Sequence, residues 1–521
     1  MVCLGNLGWI KLNLMQSNYS NKLTLLFNRF IQSKVGLNAS SNIIAKLWTA
    51  LLNLLSVPIF LAYLGPEAYG LVGLYASFEV IFNILDLGLS ATVNREIARN
   101  IASDKPGEDS KNLLRTFEYF YWAIGFAVAA LIAYLAGWIA NNWVVIQDLS
   151  PQQVQVSIFM MAFMFAARWP MTLYTGVFLG LQKQLLVNTI TTISATLRVI
   201  IAILLLKYFS PEITTFLFWQ AISCVLEIFL LLLFAWKELN KISVEKPRID
   251  LQIINQVWKF ALSFNLVGVF GMILSQAGVF IASRFVSLRE IGYYSVASIA
   301  AGSLTLIAYS IGTAIYPIFA AETARNENVS VSNKFHQYVR IIHYFVFGFG
   351  AILILFPSEI IYIWTRDWDV VINSAPILFF LAGAALFNSM ATGGYLLLIA
   401  SGNTRIPLLT NFANFIVFIP RYGIIAAAII WLIENIISYL IYTISVEKLF
   451  LNRAYRNYFY KDIAPFLIGI IFWFVGGKIL ISILDDKFID LIVISLLTIG
   501  YFISMASQII KDIPLKLNEF A

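Results

Sequence analysis

Runs of about 20 mainly apolar residues, each long enough to cross a hydrocarbon layer as a helix, recur along most of this chain. They fall at 41–64, 70–93, 120–140, 156–180, 185–206, 213–236 and 260–282, then at 292–317, 339–356, 372–400, 406–419, 423–445, 463–484 and 488–509. Between 406–419 and 423–445 stands Pro420-Arg421-Tyr422-Gly423, where one long kinked helix competes with two spans. Of the 521 residues 60% are hydrophobic and 12% charged, whereas a soluble domain is about 25% charged. No single aqueous core could hide so much nonpolar surface, so lipid is the main solvent. The expected fold class is all-α: a polytopic membrane protein of about 14 transmembrane helices.

Lysine and arginine give an internal check on that count. The formal charge is +7, but the basic residues sit in short segments between apolar runs, as topology signals do, rather than on one surface that would suit nucleic acid. Alternate loops hold them in a ratio of about four to one, which a wrong number of spans would scramble. The rich set includes Arg95, Lys111, Lys183, Lys241, Arg248, Arg325, Lys448 and Lys461; the poor set holds Lys207, Arg284, Arg289, Arg366, Arg421 and Lys487. Both termini are therefore expected on the cytoplasmic side. A segment at 23–31 reads either as an interfacial helix or as a mobile tail.

Two corners point to an internal repeat. Val57-Pro58-Ile59-Phe60 leads to Pro66-Glu67-Ala68-Tyr69-Gly70, and Val279-Phe280-Ile281-Ala282 leads over the same spacing to Leu288-Arg289-Glu290-Ile291-Gly292. An even number of spans separates them, so the repeats run parallel, related by a pseudo-two-fold axis along the membrane normal. The expected organisation is a cytoplasmic segment 1–40, an N-terminal six-helix lobe 41–236, a cytoplasmic linker 237–259, a C-terminal six-helix lobe 260–446 and two additional helices within 463–510.

Ionisable groups inside spans cost roughly 2.5–3.5 kcal/mol on insertion scales, so each should face protein or a wet cavity. Lys46, Glu79, Asp86, Arg168, Arg198 and Glu227 all belong to the first lobe. Arg168 and Arg198 in a watery cavity suit a phosphate, which guanidinium binds with a geometry lysine does not match; Lys46 is the third candidate for substrate binding. The competing readings pair Arg168 with Glu79 and Lys46 with Asp86, which lies at a similar depth. Glu227 and Glu434 occupy the last span of each repeat, where a carboxylate either couples transport to protons or bonds a neighbouring helix. Glu79 and Asp86 share that choice of coupling or helix pairing. The C-terminal lobe, poorer in charge, is expected to offer a more apolar wall.

Enzyme signatures are missing: the sequence has no GxxxxGK[ST], no HExxH, no GxSxG and no paired-cysteine site. Cys3 and Cys224 form no disulfide framework, and His336 and His343 make no catalytic set. No catalytic residue, metal or cofactor is expected.

The stretch Leu64-Gly65-Pro66-Glu67-Ala68-Tyr69-Gly70, followed by Leu85-Asp86-Leu87-Gly88-Leu89-Ser90 and Arg95-Glu96, resembles the opening of polysaccharide transporters of the O-antigen flippase type. Arg168-Trp169-Pro170, Tyr174-Thr175-Gly176, Gly180-Leu181-Gln182-Lys183 and Ile291-Gly292-Tyr293-Tyr294-Ser295 are similar to the same family, within the multidrug, oligosaccharidyl-lipid and polysaccharide exporter superfamily. The resemblance implies two six-helix lobes plus two C-terminal helices. It also implies alternating access of a cationic cavity to an undecaprenyl-diphosphate-linked oligosaccharide, moved from the cytoplasmic to the outer leaflet of a bacterial plasma membrane. The partners implied are that lipid-linked substrate and the bilayer, with a polysaccharide polymerase and glycosyltransferases acting beside it. A peptidoglycan-precursor flippase and a cation-coupled exporter of the same superfamily are the alternatives. A membrane polymerase is disfavoured by the short outer loops.

Overall fold

The computed structural model describes residues 34–83, 86, 88–101, 106–250, 282–325, 328–413, 423–451, 458–483 and 487–509. The expected span 260–282 up to residue 281, the end of 406–419, the corner at 420–422, the segment 23–31 and Val279 to Ile281 of the second repeat corner lie outside the described residues. Among the described residues the structure is helical, and eleven helices are long and apolar enough to cross a membrane. One of them takes in 41–64 and the first part of 70–93, so these eleven correspond to twelve of the expected spans; the expected span 70–93 is not one helix but breaks after Asn83 and resumes at Leu89, with Gly88 at φ +75° in the break.

The first helix, α1 (Lys34–Asn83), is two arms joined at Gly65, whose φ of +78° only glycine adopts without strain, with Pro66 opening the second arm. Next come α2 (Leu89–Ile101), α3 (Pro106–Trp138, extended by a π turn at Ile139–Trp143), α4 (Pro151–Gly180), α5 (Gln184–Tyr208) and α6 (Ile213–Ile242). The second lobe is described from α7 (Leu288–Ala324) through α8 (Asn328–Leu355), α9 (Pro357–Thr365), α10 (Trp368–Ala400), α11 (Arg405–Ala413) and α12 (Gly423–Leu449). Two further rods follow. In the first, α13 (Ala464–Ile470) and α14 (Gly476–Ile483) are joined through π turns; the second is α15 (Lys487–Ile509). Both rods pack on α8.

Several helix starts are written in the sequence. Ser150 caps α4 in a reciprocal box with Gln153, followed by Pro151, and Ser287 caps α7 in the same way with Glu290. Asp367 receives the amides of Asp369 and Val370 at the start of α10. The outward surface of the bundle is aliphatic. On α5, for example, Ile193, Leu197, Ile200 and Leu204 are all exposed, which is stable only against lipid.

Within the first lobe α2 crosses α4 closely because α4 carries Gly176 and Gly180. A Cβ at these positions would stand 2.6 Å from the Ser90 carbonyl oxygen and 2.7 Å from that of Asn94. This close crossing brings the middle of α4, with Arg168, against the break between α1 and α2 that contains Asp86.

Candidate functional site

The two repeat corners meet. A Cβ on Gly70 would lie 1.8 Å from the Leu288 carbonyl oxygen, one on Gly292 would lie 2.0 Å from that of Pro66, and one on Gly73 would lie 1.8 Å from Ser295 Oγ. The glycines let the second arm of α1 and the start of α7 cross with their backbones in contact. Around this seam the α3–α4 loop binds the second lobe. Leu288 N donates to Val145 O at 3.0 Å, Val145 and Ser287 form an isolated parallel bridge, Trp143 Nε1 donates to Ser283 Oγ at 2.9 Å, and Arg289 pairs with Asp148. Buried Glu67 holds that loop in place, accepting the amides of Gln147 at 2.6 Å, Asp148 at 2.5 Å and Leu149 at 3.3 Å. Both lobes are thus sealed at the end opposite the lysine- and arginine-rich loops.

At the basic end the same helix face is open. Leu306, Ser310 and Thr313 lie eighteen residues, five full turns, beyond Leu288, Gly292 and Ser295, so they share the face that forms the seam. Ala308, Gly312 and Ile315 on the other side of the helix are buried, whereas on this side Leu306 is 53% and Tyr309 61% exposed, and Ser310 and Thr313 are exposed as well. One straight face, closed at one end and free at the other, describes a cleft that opens toward the basic end.

Beside it in the first lobe is a cavity of about 480 Å³ lined by Glu79 and Arg168 together with Ser90, Asn94, Thr172 and Thr175. Arg168 pairs with Glu79, each side chain 26% exposed, and its Nε lies 3.4 Å from Cys224 Sγ. The pairing weighed from the sequence is therefore present, and it lines the cavity. Arg198 pairs with Glu227 and donates from Nε to Ser223 Oγ at 2.9 Å; the two side chains are 14% and 9% exposed, and neither lines the cavity. Adjacent residues of α6, Ser223 and Cys224, thus hold the two arginines, a link that sequence spacing did not reveal.

The Lys46–Asp86 pair is not formed. Asp86 turns into the first lobe, where it accepts from Tyr121 Oη at 2.5 Å, Thr172 Oγ1 at 3.1 Å and Ser90 Oγ at 2.8 Å. Depth follows from helical rise, whereas facing depends on the break around Gly88 (φ +75°), which resets the register between α1 and α2. Lys46 instead points across the cleft, its Nζ 5.7 Å from the ring centroid of Tyr309 on α7, and has no carboxylate partner among the described residues. Glu434, half-buried on α12, makes no hydrogen bond or ion pair among the described residues.

A cluster that the sequence did not suggest docks the start of the first of the two further rods on α8. Asp462, fully buried, accepts from Arg340 at 3.0 Å and pairs with His336, while His343 Nδ1 meets the Asp462 carbonyl at 2.7 Å. The two histidines serve packing of α8 against residues more than a hundred positions away, which no local motif could signal.

The model of the family described as polysaccharide biosynthesis protein matches residues 35–322, over half of the chain. The chain belongs to that family. The matched region includes the seam, the cavity and Lys46. A Shigella flexneri protein named as an O-antigen transporter is 23% identical over 392 residues, covering 73% of this chain and 89% of that protein. Among solved structures, the lipid II flippase MurJ in an inward closed conformation aligns with a TM-score of 0.67 at 18% identity, covering 90% of this chain and 98% of that one. An inward-facing multidrug resistance MATE family transporter of the MOP superfamily aligns with a TM-score of 0.59 at 14% identity, covering 77% and 95%. By family and fold, this member of the polysaccharide biosynthesis proteins is a multi-pass membrane protein with the fold that those two solved transporters share.

Proposed function

We propose that this protein is a flippase that carries undecaprenyl-diphosphate-linked oligosaccharide units from the cytoplasmic to the outer leaflet of a bacterial plasma membrane for cell-surface polysaccharide assembly. The observation that carries the reading is the single face of α7, locked to α1 by Gly70 and Gly292 at one end and open beside an arginine-bearing cavity at the other. The basic end is the cytoplasmic end on this reading, by the distribution of lysine and arginine, and both termini lie there.

A charged, hydroxyl-rich headgroup cannot cross hydrocarbon without leaving many polar groups unsatisfied; a cleft that is wet on one side at a time removes that cost. In the state described, Glu79 holds Arg168 where a bare guanidinium would be expensive. An entering diphosphate offers two oxygens in the geometry that arginine binds best and displaces Glu79. Lys46, free of carboxylates and nearer the cytoplasmic surface, meets the same anion first. Arg198, held by Glu227 and Ser223 away from the cavity, positions α5 on α6 and keeps the Arg168 environment in shape through Cys224. Glu434 is the carboxylate left to carry a coupling proton, and a polymerase and glycosyltransferases are the enzymes expected to act on either side of the step.

Alanine at Arg168 tests the assignment in a strain lacking the chromosomal gene. Surface polysaccharide should be lost while the protein remains in the membrane, and wild-type polymer would remove Arg168 from the mechanism. The peptidoglycan-precursor reading is the second, favoured by the likeness of fold to a lipid II flippase over 90% of the chain. Rescue of a strain depleted of its own lipid II flippase would select it.

A further inference from the structure

The open half of α7 carries more than the approach to an anion site. Tyr309 and Tyr316 stand two turns apart on one side of that face, 61% and 39% exposed. Exposed Thr313 lies between them and exposed Ser310 beside them. Neither tyrosine makes a hydrogen bond among the described residues, so both hydroxyls are available, and Lys46 Nζ lies over the Tyr309 ring at 5.7 Å from its centroid. Tyr316 also lies within electrostatic reach of Tyr395 on α10, whose ring centroid is 5.9 Å from that of Tyr442 on α12.

This surface does not have the composition of the lipid-facing helices. The exposed stripe of α5 is Ile193, Leu197, Ile200 and Leu204, whereas the stripe on α7 follows Leu306 with Tyr309, Ser310, Thr313 and Tyr316. Its direction is fixed independently, because five turns away the same face is in backbone contact with the other lobe. Lys46 of that lobe reaches the Tyr309 ring from across the gap. The expectation of an apolar wall in the second lobe is therefore met by an amphipathic one.

An exposed tyrosine presents a flat apolar ring and a polar rim. A pyranose presents the complementary pair, a face of C–H groups and a rim of hydroxyls. The two rings are about 10 Å apart along the helix, a span that a short oligosaccharide covers. Resting on the flippase reading above, we infer that Tyr309 and Tyr316, with Thr313 between them, form a carbohydrate subsite that stacks the sugar rings next to the diphosphate, with Lys46 at its anionic end.

The test measures Kd of the full-length protein in lipid nanodiscs for two probes, undecaprenyl diphosphate and undecaprenyl-diphosphate-linked N-acetylglucosamine. The sugar should tighten binding about tenfold through the ring contacts. Tyr309→Ala with Tyr316→Ala should erase that difference and leave the affinity for undecaprenyl diphosphate unchanged, which also reports that the variant is folded. Tyr309→Phe with Tyr316→Phe should keep most of it. As a second readout, a Tyr309→Trp variant should change its emission with the sugar-bearing probe and not with the bare diphosphate. Equal affinity of the wild type for both probes, or a sugar preference that survives the double alanine, overturns the subsite. Binding of neither probe by the wild type overturns the flippase reading itself.

Discussion

Alanine at Gly292 is the sharpest perturbation of the seam. The new Cβ would lie 2.0 Å from the Pro66 carbonyl oxygen and 2.9 Å from its carbon, where ordinary contact begins at 3.4 Å. Both neighbours are backbone and cannot rotate away, so α1 and α7 must part by about 1.4 Å at their crossing, the difference between 3.4 and 2.0 Å. Overpacking of this kind costs about 1–3 kcal/mol, and it falls only on the state in which the far end is closed. The population open at the far end should therefore rise roughly 5- to 150-fold relative to the closed one. Spin labels on Asn141→Cys and Phe285→Cys, exposed residues on opposite sides of the seam, read this as growth of a longer distance in a Cys3→Ser background, with Cys224 buried and unlabelled. Gly302→Ala, on the same helix with nothing within 4 Å of the added carbon, is the control and should leave the distribution unchanged. Distributions for Gly292→Ala that overlay the wild type would refute the gate.

Other perturbations follow from the same geometry. Glu67→Ala leaves the amides of Gln147, Asp148 and Leu149 without their acceptor, costing about 1–3 kcal/mol, and should speed hydrogen exchange across 145–149. Asp462→Ala strips a buried partner from His336 and Arg340, a loss of about 3–5 kcal/mol; it should lower the melting temperature and expose the rod Tyr458–Ile481 to exchange before the rest. Glu79→Gln removes the anion that competes for Arg168, so undecaprenyl diphosphate should bind more tightly in a titration, while transport slows because release is impaired.

The fold was largely legible because a bilayer imposes one length and one composition on every span. The alternation of lysine and arginine then checks the count. Gly70 and Gly292 stand four residues after Pro66 and Leu288, and in the structure each of these glycines meets the backbone of the other segment. What a chain pattern lacks is facing. Helical rise put Lys46 and Asp86 at one expected depth, yet Lys46 meets Tyr309 and Asp86 meets Tyr121, with a break at Gly88 between α1 and α2. Arg168 and Arg198 were both visible as costly charges, but which of them borders a cavity depends on how α6 packs beside α4 and α5. Tyr309 and Tyr316 could not be singled out among 24 tyrosines, since only the seam shows that their helix face belongs to the cleft.

The central claim, that a cleft open at the basic end hands a lipid-linked sugar to the opposite leaflet, is tested most directly by reconstitution. Purified protein in liposomes of fixed orientation, given undecaprenyl-diphosphate-linked N-acetylglucosamine in the leaflet facing its basic end, should deliver that lipid to the other leaflet, where an impermeant galactosyltransferase labels its sugar. Arg168→Ala liposomes should label no faster than protein-free ones. Labelling by the wild type at the protein-free rate, with the protein folded and correctly oriented, would contradict the account.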